Sequence, residues 1–171
     1  MQISQKIYQN SFDILTKSKK WNAEKDVEKF VEKTCQKIIP LTELKKIPAL
    51  EIAISLVCDS QMKKINQQFR QKNKPTNVLS FSALDKAGMK KAAKSRIYCF
   101  LGDIVISYET VKKESLAQKK PFREHLTHLI LHSILHLIGH DHEEEKMAEK
   151  MENLEIKILQ KLKIKNPYSV E

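Results

Sequence analysis

Glycine is scarce in this chain, with three in 171 residues, and the five prolines are scattered. No Gly- or Pro-rich linker divides the sequence and no internal repeat is found, so each glycine is expected to stand where the backbone needs it. Cysteine is equally thin. Cys35, Cys58 and Cys99 are odd in number and never form a C-x-x-C pair. That excludes a disulfide framework and a cysteine zinc site, and fits reduced thiols in a cytoplasmic protein. The N-terminal MQISQKIYQN lacks the apolar core of a secretion signal. The most apolar run is broken by histidine every few residues, so no membrane span is expected. Acidic residues are in deficit: 21 Asp and Glu face 31 Lys and Arg, a net charge of +10. Such an excess favours polyanionic partners, nucleic acid above all. Histidine is missing from the whole chain except the stretch His125–His142, which holds all six.

What remains describes one globular domain over residues 1–171, with 41% hydrophobic and 30% charged residues. Weak alternation at Ile3, Ile7 and Tyr8 suggests an edge strand. Val27, Phe30, Val31, Cys35 and Ile38 recur at helical spacing, and Pro40 closes that helix. EIAISLVC (51–58) reads as a buried strand, followed by a helix capped by Asp59 or Ser60 and ending near Arg70. NVLSF (77–81) and Ile97–Ser107 read as further strands, separated by a Lys-rich loop over 82–96. That loop carries Lys86, Lys90, Lys91, Lys94 and Arg96, either as a solvated connector or as an RNA backbone contact. Ser107 is placed to cap a helix, Pro121 to start the histidine helix, and a last amphipathic helix runs from Glu143 to about Lys163. The tail from about residue 164 is expected to fray. Strands and helices alternate before helices dominate. The fold class is therefore α+β, a small mixed sheet covered by helices.

The histidine stretch, HLTHLILHSILHLIGHDH, reads as a buried helix in which His132 and His136 stand four apart on one face. Gly139 lets the chain leave the helix through a left-handed conformation. His142 is then placed to swing back toward the same point. Two ligands from a helix and a third from the turn beyond make an open metal site, with the fourth position left for water or substrate. Zinc suits three imidazoles, which leave its charge uncancelled and its Lewis acidity intact. The spacing H-x3-H-x2-G-x2-H is that of the metzincin proteases, but those need Glu after the first His as general base. Here that residue is Ser133, whose hydroxyl cannot take a proton from water near neutral pH. Peptide hydrolysis on that plan is disfavoured, which leaves a metalloprotease as the third option, and the general base is left unassigned.

HSILHLIGHDH resembles the H-G-x-L-H-L-x-G-Y-D-H hallmark of the YbeY-type endoribonucleases, the rRNA maturation factors. FRQKNKPTNVLSF is similar to that family's Y-R-x-x-x-x-P-T-D-V-L-S-F, and LGDIVIS to its G-D-I-x-I-S strand. The resemblance implies a zinc-dependent, single-strand-specific endoribonuclease in 16S rRNA 3′-end maturation and ribosome quality control. Single-stranded rRNA, the ribosome and a ribosomal protein are the partners it implies. It implies one Zn2+ ion on His132, His136 and His142, and Arg70 facing the metal to grip a phosphate. Ser133, His140 and Asn77 stand where the family pattern usually has Gly, Tyr and Asp. His140 adds a competing nitrogen, Asp141 is a candidate to orient a ligand imidazole or else to serve as a base, and His128 is another neighbour of the site. The rival reading is a non-catalytic rRNA-binding assembly factor with a structural metal.

Overall fold

The computed structural model describes residues 9–95, 98–140 and 144–169. Four strands form one sheet in the order β1-β2-β4-β3: β1 (Ser11–Thr16), β2 (Leu50–Val57), β3 (Val78–Ser82) and β4 (Cys99–Ser107). β1, β2 and β4 are mutually parallel, with Ile14 opposite Ile54 and Ile54 opposite Ile104. β3 runs antiparallel along β4, with Leu79 opposite Val105. The mixed sheet expected from the sequence is present. Ile3, Ile7, Tyr8 and Ile97 lie outside the described residues, and the first described strand starts at Ser11.

The sheet is covered unequally. One face carries Ile52, Ile54, Leu56, Leu101, Ile104 and Ile106 into a core shared with α1 (Val27–Ile38), α4 (Tyr108–Ala117), α5 (Phe122–Leu137) and α6 (Glu145–Lys161). Among the described residues the other face has only α2 (Asp59–Arg70), whose Met62 closes a small cluster with Val57, Leu79 and Val105. This follows from the alternation of side chains along strands: β2 and β4 are apolar on both faces near their ends, but only one face meets several helices. α5 is the central helix of the larger layer. Ten of its sixteen residues are buried, including residues on all sides, as the continuous apolar run around its histidines requires. Trp21, fully buried, donates Nε1–H to the carbonyl of Val57 at 2.9 Å and meets Phe122 edge-on, which fixes where α5 begins.

Three local expectations are corrected. The Lys-rich stretch is largely a helix, α3 (Lys86–Ser95), not a loop. Asp85 accepts the Gly88 N–H at 2.7 Å and caps it, and Met89, Ala92 and Ala93 pack against the core. The run of alanines supplies the helix propensity that its lysines conceal. Second, Cys58 rather than Asp59 or Ser60 is the N-cap of α2. Asp59 is drawn away because its Oδ1 takes the Thr110 N–H at 3.2 Å, capping α4, while Glu109 takes the Asp59 N–H at 3.0 Å. Ser107 sits at the N-cap of α4 as expected, but its hydroxyl donates to Asp59 at 2.6 Å instead of accepting from the helix. Third, the described part of the tail, residues 164–169, does not trail free: Ile164 packs on the core, and Tyr168 O–H donates to the carboxylate of Glu155.

Two glycines have a steric reason. Gly102, at φ 138°, sits where the β2–β4 register slips, and a Cβ there would lie 2.1 Å from the Phe81 carbonyl oxygen. Gly139, at φ 90°, ends α5. Its N–H bonds the His136 carbonyl at 3.0 Å and the His140 N–H bonds the Leu135 carbonyl at 3.0 Å. This is the paired-bond C-cap that a left-handed residue permits.

Candidate metal centre and cleft

The sequence of α5 places His125, His128, His132 and His136 along one stripe, and their rings meet edge-on in succession. Only the last pair converges. Nε2 of His132 and Nε2 of His136 stand 3.1 Å apart, with ring centroids at 4.5 Å. Two imidazole nitrogens bound tetrahedrally to zinc at about 2.0–2.1 Å would be about 3.3 Å apart. The tautomer is set from behind. His132 Nδ1 lies 2.7 Å from Oε1 of Glu155, so the ring donates its Nδ1–H to the carboxylate and turns the Nε2 lone pair toward His136. Either His136 supplies a proton to that lone pair or a cation takes the proton's place.

Glu155 reaches this point from α6 and is fully buried. Its other oxygen meets Nε2 of His128 at 3.1 Å and the hydroxyl of Tyr168. Burial alone would raise its pKa, but the hydrogen bonds from His128 and His132 outweigh it and hold the carboxyl down to about 2. Buried and already engaged by three donors, Glu155 fixes the rings of His128 and His132 from behind. Ser133 is also buried, and its hydroxyl donates to the Leu129 carbonyl at 2.8 Å. Its lack of a catalytic role, argued from its chemistry, is reinforced by its position.

A cleft of about 640 Å³ opens beside His132 and His128 and runs to Asn77 and Glu114, with Lys119, Lys120 and Tyr168 on its walls. At its far end a second pair forms: His125 Nε2 lies 2.9 Å from Oε2 of Glu114. Asn77 Nδ2 donates to both oxygens of Glu114, at 3.2 and 3.0 Å. Asn77 is oriented by its own Oδ1, which accepts the Val78 N–H at 2.7 Å. Asparagine at this position thus donates to a carboxylate, where the aspartate usual in the resembled pattern would oppose it. Burial pushes the Glu114 pKa up, and the bonds from His125 and Asn77 bring it below the ordinary carboxylate value.

Arg70 is the last residue of α2 and is exposed; among the described residues it makes no hydrogen bond or ion pair. His140 has a different carboxylate beside it. Its Nε2 lies 3.7 Å from Oε1 of Glu43, and it lines a separate cavity with Lys46, Met89 and Gly139. Asp141 and His142 lie outside the described residues, and among those described no cluster of three ligand-type side chains converges.

Sequence reasoning missed Glu155, Glu114 and Tyr168. For Glu155 a signal existed: it stands four after Met151 and three before Ile158, a charge inside the apolar stripe of α6. Such a residue calls for a partner. Glu114 and Tyr168 gave no comparable signal, since their roles depend on contacts 37 and 13 residues away.

The profile of the family described as Endoribonuclease YbeY matches residues 13–163. This chain belongs to that family. The Endoribonuclease YbeY of Bartonella henselae is 44% identical over 160 residues, covering 93% of this chain and 97% of the relative. That of Nitrobacter hamburgensis is 40% identical over 157 residues, covering 92% and 81%. A solution structure of a Thermotoga maritima protein superposes with a TM-score of 0.56 at 24% identity, over 94% of this chain and 97% of that one, and supports the α+β fold. The resemblance carried by the three motifs is thereby borne out, as is the endoribonuclease class that membership of the YbeY family brings. No helix among the described residues is long and apolar enough to cross a membrane.

Proposed function

We propose that this chain is a zinc-dependent endoribonuclease cutting single-stranded rRNA, with His132, His136 and His142 holding the ion and Arg70 gripping the scissile phosphate. The observation that carries the reading is the convergence of the His132 and His136 Nε2 atoms at 3.1 Å, with His132 oriented by the buried Glu155. The donor set fits a divalent cation: neutral imidazoles, one of them backed by a carboxylate that fixes its tautomer. Bound there, the ion supplies a Lewis acid beside the phosphate.

The protein's own groups do the rest. Glu155 keeps the Nδ1 proton of His132 and with it the direction of the ring. Arg70, exposed at the end of α2, offers a planar guanidinium to two phosphate oxygens. Among the described residues, Glu155 is the carboxylate against these imidazoles, and it is closed off from substrate. The nucleophile is the neighbouring 2′-OH of RNA, with a 2′,3′-cyclic phosphate among the products as its sign, or else water, with no cyclic product. Cytoplasmic rRNA is the substrate that the family and the +10 charge support.

Zinc-loaded wild type, His136→Ala and Arg70→Ala are to be compared on an rRNA 3′-end fragment with product ends mapped. Cleavage by the wild type, lost in both variants, supports the reading. Equal cutting by all three marks a contaminating nuclease. Uncut RNA that stays tightly bound marks an assembly factor instead.

A further inference from the structure

The cleft that begins at His132 ends on a carboxylate, and a carboxylate is an unexpected wall for a polyanion. Glu114 keeps its negative charge, and 31% of its side chain is exposed to the cleft. It cannot serve the reacting centre directly. His125, which holds it, lies seven residues before His132 on α5, about 10 Å away along the helix axis. At roughly 3.4 Å per stacked nucleotide, that span covers about three nucleotides, fewer if the strand is extended. Phosphates are repelled there and are better placed on Lys119, which is exposed on the rim.

A base edge is the group that fits. An ionised carboxylate has about four acceptor sites. The described contacts from His125 and Asn77 occupy three, two of them on Oε2, so one site remains on Oε1. The carboxylate is also rigidly aimed, since His125 is 4% exposed and Asn77 is fixed through Val78. One fixed acceptor selects one donor. Adenine, cytosine and guanine each offer an exocyclic amine, whereas uracil flanks its only N–H with two carbonyl oxygens that would face the negative charge.

We propose that Glu114, held by His125 and Asn77, is a specificity-determining residue that selects an amino-bearing base over uracil about one to three nucleotides from the cleaved bond. The proposal rests on the single-stranded endoribonuclease reading above. The ring of Tyr168, 41% exposed on the same cleft, offers that base a stacking wall.

The test uses zinc-loaded protein and short oligouridylates carrying one cytidine, moved stepwise along the strand, with product ends mapped. Wild type is expected to cut at one fixed spacing from the cytidine, roughly tenfold better in kcat/KM than all-uridine RNA. Glu114→Gln, whose amide donates as well as accepts, is expected to bring that ratio toward one and scatter the cuts. Replacing cytidine by N4,N4-dimethylcytidine removes the donor without touching the protein, so the wild type alone decides the matter if the variant does not fold. Cuts independent of the cytidine position, or a preference kept by Glu114→Gln or by the dimethylated base, overturn the proposal. If the wild type cuts none of the oligonucleotides, the endoribonuclease reading falls and takes this inference with it. Position-independent cutting removes the inference alone.

Discussion

Glu155 and Glu114 both accept hydrogen bonds from imidazoles of α5, from different helices and at different depths. Glu155 comes from α6, is fully buried, and is engaged by His128, His132 and Tyr168. Glu114 comes from α4, keeps 31% of its side chain exposed, and is engaged by His125 and Asn77. The pairs are built from the same two residue types, yet their exposure divides the labour. A closed carboxylate can only orient what it touches, whereas an open one can still meet a ligand. In the first pair the histidine faces the site and the carboxylate stands behind it. In the second the order is reversed.

Removing the buried member should therefore cost most. Glu155→Ala leaves three donors facing a cavity, and breaking such a buried pair costs about 3–5 kcal/mol. Chemical denaturation should show that loss. Zinc titration of any folded fraction should show affinity weakened about 10- to 100-fold, the usual effect of losing a carboxylate behind a metal-binding imidazole. An unchanged zinc affinity would mean that Glu155 is a structural charge pair only.

Acid sharpens the same contrast. The folded pKa of Glu155, about 2, lies below its ordinary value of 4.5. The unfolded chain thus takes up the proton first as pH falls. The stability that Glu155 contributes is fully present above pH 4.5 and is lost as pH drops toward 2, amounting to roughly 3 kcal/mol. Metal-free Glu155→Gln should show a shallower decline over that window, measured as denaturation midpoints. Glu114→Gln should keep most of the wild-type slope.

How far these parts could be read in advance depends on whether the signal is local. His132, His136 and Gly139 are joined by helical spacing and a turn, so a short stretch of sequence suffices to bring them together. The strands around Ile54, Leu79 and Ile104 were legible from β-branched runs. The α3 helix was hidden because its lysines resemble a loop, although Asp85 and three alanines stood in view. Glu155 showed as a charge within an apolar stripe, but its partner is set by how α6 packs on α5, which no periodicity encodes. Glu114 needed both the α4–α5 contact and the start of β3 to acquire meaning.

Removing the open carboxylate should cost less. Glu114→Ala strands His125, whose Nδ1 already has no partner among the described residues. One buried imidazole left unsatisfied costs about 1–3 kcal/mol. With zinc held at the other pair, as proposed, its affinity should stay within a factor of about three, since second-site effects on metal binding come through groups that touch the ligands. Loss of zinc binding in Glu114→Ala would show that the two pairs act as one unit and would dissolve the comparison.

Tyr168 tests the boundary, because it belongs to both regions. Its hydroxyl bonds Glu155 and its ring walls the cleft that ends at Glu114. Tyr168→Phe deletes only the hydroxyl. Two imidazoles still hold Glu155, so the expected loss is one hydrogen bond, about 1 kcal/mol, with less than a tenfold change in zinc affinity. Tyr168→Leu deletes the ring as well. If the ring contributes to substrate binding, KM for single-stranded RNA should rise severalfold in the leucine variant and stay near wild type in the phenylalanine variant, with base stacking as the difference. Equal KM values in the two variants would assign Tyr168 wholly to the buried pair and leave the cleft without its stacking wall.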